Sequence, residues 1–393
     1  MTDGKRQIYL DNSATTPISD AALAKYVEAS RGIFGNPSSL HALGFAAERE
    51  IGLARRAIQD SLGARDATVI FTASGSEANN LAIVGRATSK ERYRGRGKII
   101  TTDGEHASVD SPLASLEKCG FKIVKIPTKD GRLDTEMLRS ELTADVILVT
   151  MMMVNNETGA LYDLKEASAL MKARSPEAYL HVDATQSYMK LPFTLASLGC
   201  DMITLSSHKI EGPKGVGALV ISGRVVKEKG LLPMILGGGQ ESGFRSGTEN
   251  VPGIAAFGEA VRQAKPHIIE HRDKMNELRE LLIKSIENDD TLAVISVTKP
   301  QKHAPHILNL TLPKIKSETM LHYLSSEGIY VSSGSACSSN GAHVSSALVA
   351  FGRSKEEADC SIRISFSPRN TEEDVIALCD ALKAGLTKLS RMK

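Results

Sequence analysis

Between residues 67 and 222 short apolar runs alternate with longer amphipathic stretches, and few architectures accept that order. The runs ATVIFTAS, GKIITTD, FKIVKIP, DVILVTMMMV, AYLHVDAT, DMITLSS and GALVIS have strand length and are apolar almost throughout. Strands that are apolar on both faces must be covered on both faces, so the pattern predicts an α/β fold with a mostly parallel seven-stranded sheet between helical layers. A Gly-rich stretch, LGGGQESGFRSGTENVPG, ends this region. Beyond it a helical pattern runs from about residue 254 to 287, with Pro266 placed to kink or break it. Strand-like AVISV, HILNLTLP, IYVSS and SIRISFS follow, then a terminal helix from Glu372. The 393 residues suffice for about two or three domains. A boundary near 264 divides a large domain, 14–263, from a smaller α/β domain built from 264–393 and the N-terminal residues 1–13.

Composition narrows the function. Apolar residues are 41% and charged residues 24%, ordinary for a soluble globular chain, and the net charge of +2 offers no electrostatic footprint for nucleic acid or anionic lipid. The longest apolar run, 145–154, is far short of a membrane span, and the N-terminus has no secretory-signal pattern. Five cysteines with no CxxC pair argue against a disulfide framework and against a zinc site. A small-molecule substrate and a cytoplasmic location are expected.

Three segments place chemistry at strand ends. In ITLSSHKIEGPKGVG a strand runs into His208 and Lys209 and then a glycine-rich turn. A lysine at a buried strand end is desolvated, which makes its amine a nucleophile for a carbonyl, although a surface lysine is the commoner reading of an isolated His-Lys. YLHVDATQ ends a strand on Asp183, an anion able to keep a pyridine nitrogen protonated, with Gln186 three residues on; a helix cap is the plainer alternative. FTASGSEANN reads as strand, turn and helix N-terminus, where Gly75 admits a phosphate close to the backbone and Ser76 adds a hydroxyl. No Walker A or dinucleotide glycine pattern competes for that role.

These segments, with YLDNSATTP, GNPSSLH, GEHASV, VNNETG, RSGTENVPG, SSGSACSS and SIRISFS, resemble the cysteine desulfurases among the fold-type I, class-V-aminotransferase-like pyridoxal-phosphate enzymes. The match extends over nearly the whole chain. The resemblance implies pyridoxal 5'-phosphate as cofactor, with Lys209 as its Schiff-base lysine, Asp183 on the pyridine nitrogen and Gln186 on the phenolic oxygen. His106 would stack on the ring and aid proton transfer. Asn156 matches the cofactor-facing amide, with Asn155 as the alternative. Ser76, Ser206 and His208 would form the phosphate cup, joined by Thr248 from the partner subunit of a homodimer. Arg363 would hold the substrate carboxylate as a bidentate pair, with Asn36 lining the same site.

Cys337 would take sulfur from L-cysteine as a persulfide, releasing L-alanine. Its surroundings, VSSGSACSSNGAH, are small and polar and cannot pack a core, which agrees with an exposed nucleophile. Cys119, Cys200, Cys360 and Cys379 read instead as packing residues. The implied sulfur acceptor is a protein such as an iron-sulfur scaffold or a tRNA-thiolation enzyme. After Cys337 the sequence SNGAHVSSALVAFG departs from the Leu-Glu-Pro-Ser-like continuation common in the family. A selenocysteine lyase and a non-catalytic sulfur-relay docking scaffold are the rival readings.

Overall fold

In the computed structural model, which describes residues 6–90, 93, 97–333 and 345–390, the seven apolar runs form one sheet. After a short β1 (Ile8–Tyr9), its strands are β2 (Thr68–Thr72), β3 (Lys98–Thr102), β4 (Lys122–Ile126), β5 (Val146–Met152), β6 (Tyr179–Asp183), β7 (Met202–Ser206) and β8 (Gly217–Ile221). They lie in the order β2-β8-β7-β6-β5-β3-β4, and only β8 runs antiparallel to its neighbours. Every residue of β3, β5, β6, β7 and β8 is buried, the result of helices packing on both faces. Three central strands are also stitched by side chains. The His181 ring bonds Thr150 Oγ1 through Nδ1 at 2.8 Å and Thr204 Oγ1 through Nε2 at 2.9 Å, so a polar residue in the sheet interior is satisfied at both nitrogens.

The predicted long helix is two. Residues Val251–Ala264 and Ile268–Glu287 are helical, separated by a 3-10 turn at Lys265–His267 that contains Pro266. Proline has no N–H to continue the ladder, and His267, at φ −106° and ψ 7°, departs from helical geometry. The first helix packs on the large core and the second on a smaller one. Gly258 sits where the first meets the neighbouring helix Ala42–Ser61, and a Cβ there would lie 2.6 Å from Ala54 Cα.

The smaller core surrounds a four-stranded antiparallel sheet ordered β12-β13-β10-β9, where β9 is Ser296–Val297, β10 Ile307–Thr311, β12 Ser332–Ser333 and β13 Ser361–Ser365. Beside it β1 pairs in parallel with β11 (Ile329–Tyr330), which brings Ile8 and Leu10 into this core. The terminal helix Glu372–Ser390 closes it, with Val375, Leu378, Leu382 and Leu386 facing inward.

Two expectations are corrected in detail. AVISV yields only a two-residue strand, and IYVSS is two short strands with different partners. Cys119, expected to pack, is exposed at the C-cap of the helix Ala107–Lys118, whereas Cys200 and Cys379 are buried.

Candidate active site

Parallel strands end on one edge of the sheet, and the loops leaving that edge surround a cavity of about 300 Å³. Met152 ends β5, Asp183 ends β6 and Ser206 ends β7, and all three line it. The sheet order reverses beside this point, since β4 lies outward of β3 while β5, β6 and β7 follow on the other side.

Each wall has an identifiable cause. Helix Gly75–Ala87 begins at the cavity because Ser74 Oγ accepts from Glu77 N–H at 3.1 Å, an N-cap that aims the free backbone N–H groups of the first turn inward. A Cβ on Gly75 would come within 3.3 Å of Ser206 Cβ and Thr185 Oγ1, so glycine permits the close packing of this turn on β7. One turn further, Asn79 Nδ2 donates to Asp183 Oδ2 at 2.8 Å, and Thr185 N–H donates to Oδ1 at 2.9 Å. The carboxylate is thus fixed in position and remains in the cavity wall.

His106 caps the next helix. Its Nδ1 accepts from Ser108 N–H at 3.1 Å and lies 2.8 Å from Ser108 Oγ, which itself accepts from Asn79 Nδ2. Burial, with Lys209 and Arg363 adding like charge against the opposing pull of Asp183, holds the imidazole below its ordinary pKa. His106 is therefore neutral at neutral pH. Its neighbour Glu105 is wholly buried, accepts from Thr102 Oγ1 and Met152 N–H, and is pushed up to about 8 by burial.

Lys209 follows β7 in a 3-10 turn, and its Nζ donates to the carbonyls of Ser13 at 2.6 Å and Ala14 at 2.7 Å. Gln186 Nε2 donates to the same Ser13 carbonyl at 2.9 Å, while its Oε1 has no hydrogen-bond partner among the described residues. His208, beside it, bonds Thr15 Oγ1 and is depressed to about 4, mainly by burial. Arg363 is buried on β13 rather than exposed at a strand edge, and reaches the cavity from the smaller core. Its Nη2 pairs with Asp11 at 2.8 Å and its Nη1 donates to Asn156 O at 2.9 Å.

The cavity brings together Gly75, Ser76, His106, Asn156, Asp183, Gln186, Ser206, His208, Lys209 and Arg363. Asn155 points elsewhere: its amide donates to Gly104 O and its Oδ1 accepts from Glu157 and Thr158, a turn-forming role. Asn36 and Thr248 are exposed on this chain and do not line the cavity. Cys337 lies outside the described residues. The residues flanking that segment are both held near the cavity, Ser333 on β12 beside β13 and Ser345 on the Glu157 carboxylate. Sequence reasoning missed Asn79 and Asp11, which position Asp183 and Arg363. Asn79 was signalled by its spacing of four from Gly75, which puts both on one helix face.

The Aminotransferase class-V family model matches residues 8–378. The chain belongs to that family, among the cysteine desulfurases. A NifS/IcsS protein homolog of Lactobacillus delbrueckii subsp. bulgaricus is 38% identical, covering 98% of this chain and 99% of the relative. The putative cysteine desulfurase IscS 1 of Bacillus subtilis is 37% identical, covering 94% and 96%. A solved NifS-like protein superposes with a TM-score of 0.89 at 32% identity, covering 97% of this chain and all of that one. The cysteine desulfurases are pyridoxal-phosphate enzymes, and the residues present fit that group. A fixed carboxylate suits the ring nitrogen, the unpartnered Gln186 Oε1 marks a polar wall, a helix N-terminus suits the phosphate, and Lys209 supplies the amine.

Proposed function

We propose that this chain is a cysteine desulfurase that converts L-cysteine to L-alanine and passes the sulfur to Cys337 as a persulfide. The observation that carries the reading is the convergence of Lys209, Asp183, His106 and Arg363 on one cavity of about 300 Å³. Pyridoxal phosphate bound there supplies an electron sink that weakens bonds around the substrate α-carbon. Asp183, immobilised by Asn79 and Thr185, holds the proton on the ring nitrogen. Arg363 holds the substrate carboxylate, and Lys209 moves the proton at the α-carbon. Neutral His106, backed by Ser108, accepts and returns a proton. The Cys337 thiolate then attacks the substrate sulfur: an S–S bond forms, the C–S bond breaks, and its electron pair stays on the carbon fragment that is protonated to alanine.

The reading includes a homodimer and a sulfur-accepting protein partner. Phe34, two residues from Asn36, is 69% exposed, and Leu236, 79% exposed, follows Ile235, which pairs with the segment leading to Thr248; a second copy would cover both while Thr248 completes the phosphate site. The deciding experiment measures alanine from L-cysteine per bound cofactor in wild type and Cys337→Ser. The variant retains cofactor and loses alanine release, because a hydroxyl does not accept sulfane sulfur. Equal rates would remove Cys337 from the reaction.

A further inference from the structure

A second cavity of about 260 Å³, also lined by Lys209, lies between the two cores. Among the described residues, only Lys209 lines both cavities. The larger core contributes Met189 and Ile210, the smaller contributes Met275 and Phe366, and Lys190 follows Met189 in the same wall. The walls are mostly hydrocarbon. One group does not suit them: Lys190 is 7% exposed, and its Nζ has no hydrogen-bond partner among the described residues. An ammonium in that position is costly unless an anion pairs with it. Close by in electrostatic terms, His306 is wholly buried with both ring nitrogens unpartnered among the described residues.

We propose that this cavity is a second small-molecule site, taking a compact organic carboxylate whose charge pairs with Lys190 and whose hydrocarbon body lies against Met189, Ile210, Met275 and Phe366. The chemistry of the walls selects this class. A cation is repelled by Lys190 and by the charges of Lys209 and Arg363. Inorganic phosphate has no hydrocarbon body to lie against Met189, Ile210, Met275 and Phe366, so a carboxylate with an apolar part fits these walls better. The volume suits a small ligand, just under the roughly 300 Å³ at which ligand cavities commonly begin. Because the site is lined from both cores and touches Lys209, its ligand bridges the two cores without entering the catalytic cavity.

Burial, reinforced by Lys209 and Arg363, lowers Lys190 to about 7. An anion beside it raises that value again, so binding near pH 7.5 takes up protons. The other ionisable groups facing the cavity are Glu211, held by Arg369, and His267 and His271. The test is calorimetric titration of holoenzyme with hexanoate at pH 7.5, in two buffers of different ionisation enthalpy, with hexan-1-ol as the uncharged control. Saturable binding with proton uptake is expected, with hexanol at least tenfold weaker. Lys190→Met loses the proton uptake and at least tenfold in affinity. Ala264→Trp fills the cavity from a half-buried helix position with Lys190 intact, and abolishes binding. The proposal is overturned by the absence of saturable binding, or by binding that survives both substitutions. It is equally overturned by binding that disappears only in Arg363→Ala, which would place hexanoate in the catalytic cavity.

Discussion

Arg363 shows how much of a side chain's task is set by what already holds it. Two of its nitrogens are occupied, by Asp11 and by the Asn156 carbonyl, while Nε has no partner among the described residues. The guanidinium is thus oriented before substrate arrives, and its planar fork is what a carboxylate needs. Arg363→Lys keeps the charge and loses the fork. We expect KM for L-cysteine to rise about 10- to 100-fold, the equivalent of ~1.5–3 kcal/mol for a charged hydrogen bond. Steady-state kinetics checks this, and an unchanged KM would take the substrate carboxylate away from Arg363. Strand position and motif placed Arg363, Asp183 and Lys209 in the site. The partner Asp11 was not legible, because a side chain's hydrogen bond to a residue distant in sequence leaves no periodic trace, and Asn79 was signalled only by its helical spacing from Gly75. Cys119 misled for a related reason: its apolar neighbours face the core, but it falls at the helix end, where the turn directs it outward.

Among the elements, the three central strands depend on a neutral His181. Burial depresses its pKa to about 4 in the folded chain, against the opposing pull of Asp183, while an unfolded histidine titrates near ~6.5. Between those values the unfolded chain binds more protons. The stability from His181 is therefore fully present above about 6.5 and is lost as pH falls toward 4, at roughly 1.4 kcal/mol for each pH unit crossed. Glu105, raised to about 8, acts in the opposite sense, so the comparison must be with a variant. His181→Gln is expected to have a lower urea midpoint at pH 7 and a smaller fall between pH 7 and 5 than wild type. Parallel pH profiles would refute the assignment. Helix packing gives a second prediction at this scale. Gly258→Ala forces the helices Ala42–Ser61 and Val251–Ala264 apart, since the new Cβ would lie 2.6 Å from Ala54 Cα. A loss of about 1–3 kcal/mol is expected, visible as a lower melting temperature, and an unchanged melt would contradict the contact. The seven long strands were readable because each centres on a short apolar segment. The two-residue strands were not, because long-range pairing rather than local pattern creates them.

For the whole molecule, the open question at the site is what completes it. Asn36 and Thr248 matched the family pattern, yet a single chain leaves both outside the cavity. The resemblance assigned Thr248 to the partner subunit's site and placed Asn36 in the substrate site without naming the copy that supplies it. Sedimentation of holoenzyme should give about twice the 42.2 kDa chain mass. Mixing Thr248→Ala with Lys209→Ala, each inactive alone, should restore activity, because a hybrid dimer contains one intact site. Failure to complement in a proven heterodimer would return Thr248 to a role within its own chain. A different consequence follows from the first strand. Apart from Ala304 and Ile307, the buried residues of the large core all precede residue 262, so that unit closes while the rest of the chain is still being made. Ile8 and Leu10 are made before either core, yet β1 pairs with a strand more than 300 residues later. Joining segments so far apart in sequence carries a large loop-closure cost. The β1 segment is therefore among the last parts to be folded, and Arg363, whose partner Asp11 lies just after that strand, is oriented only when it is.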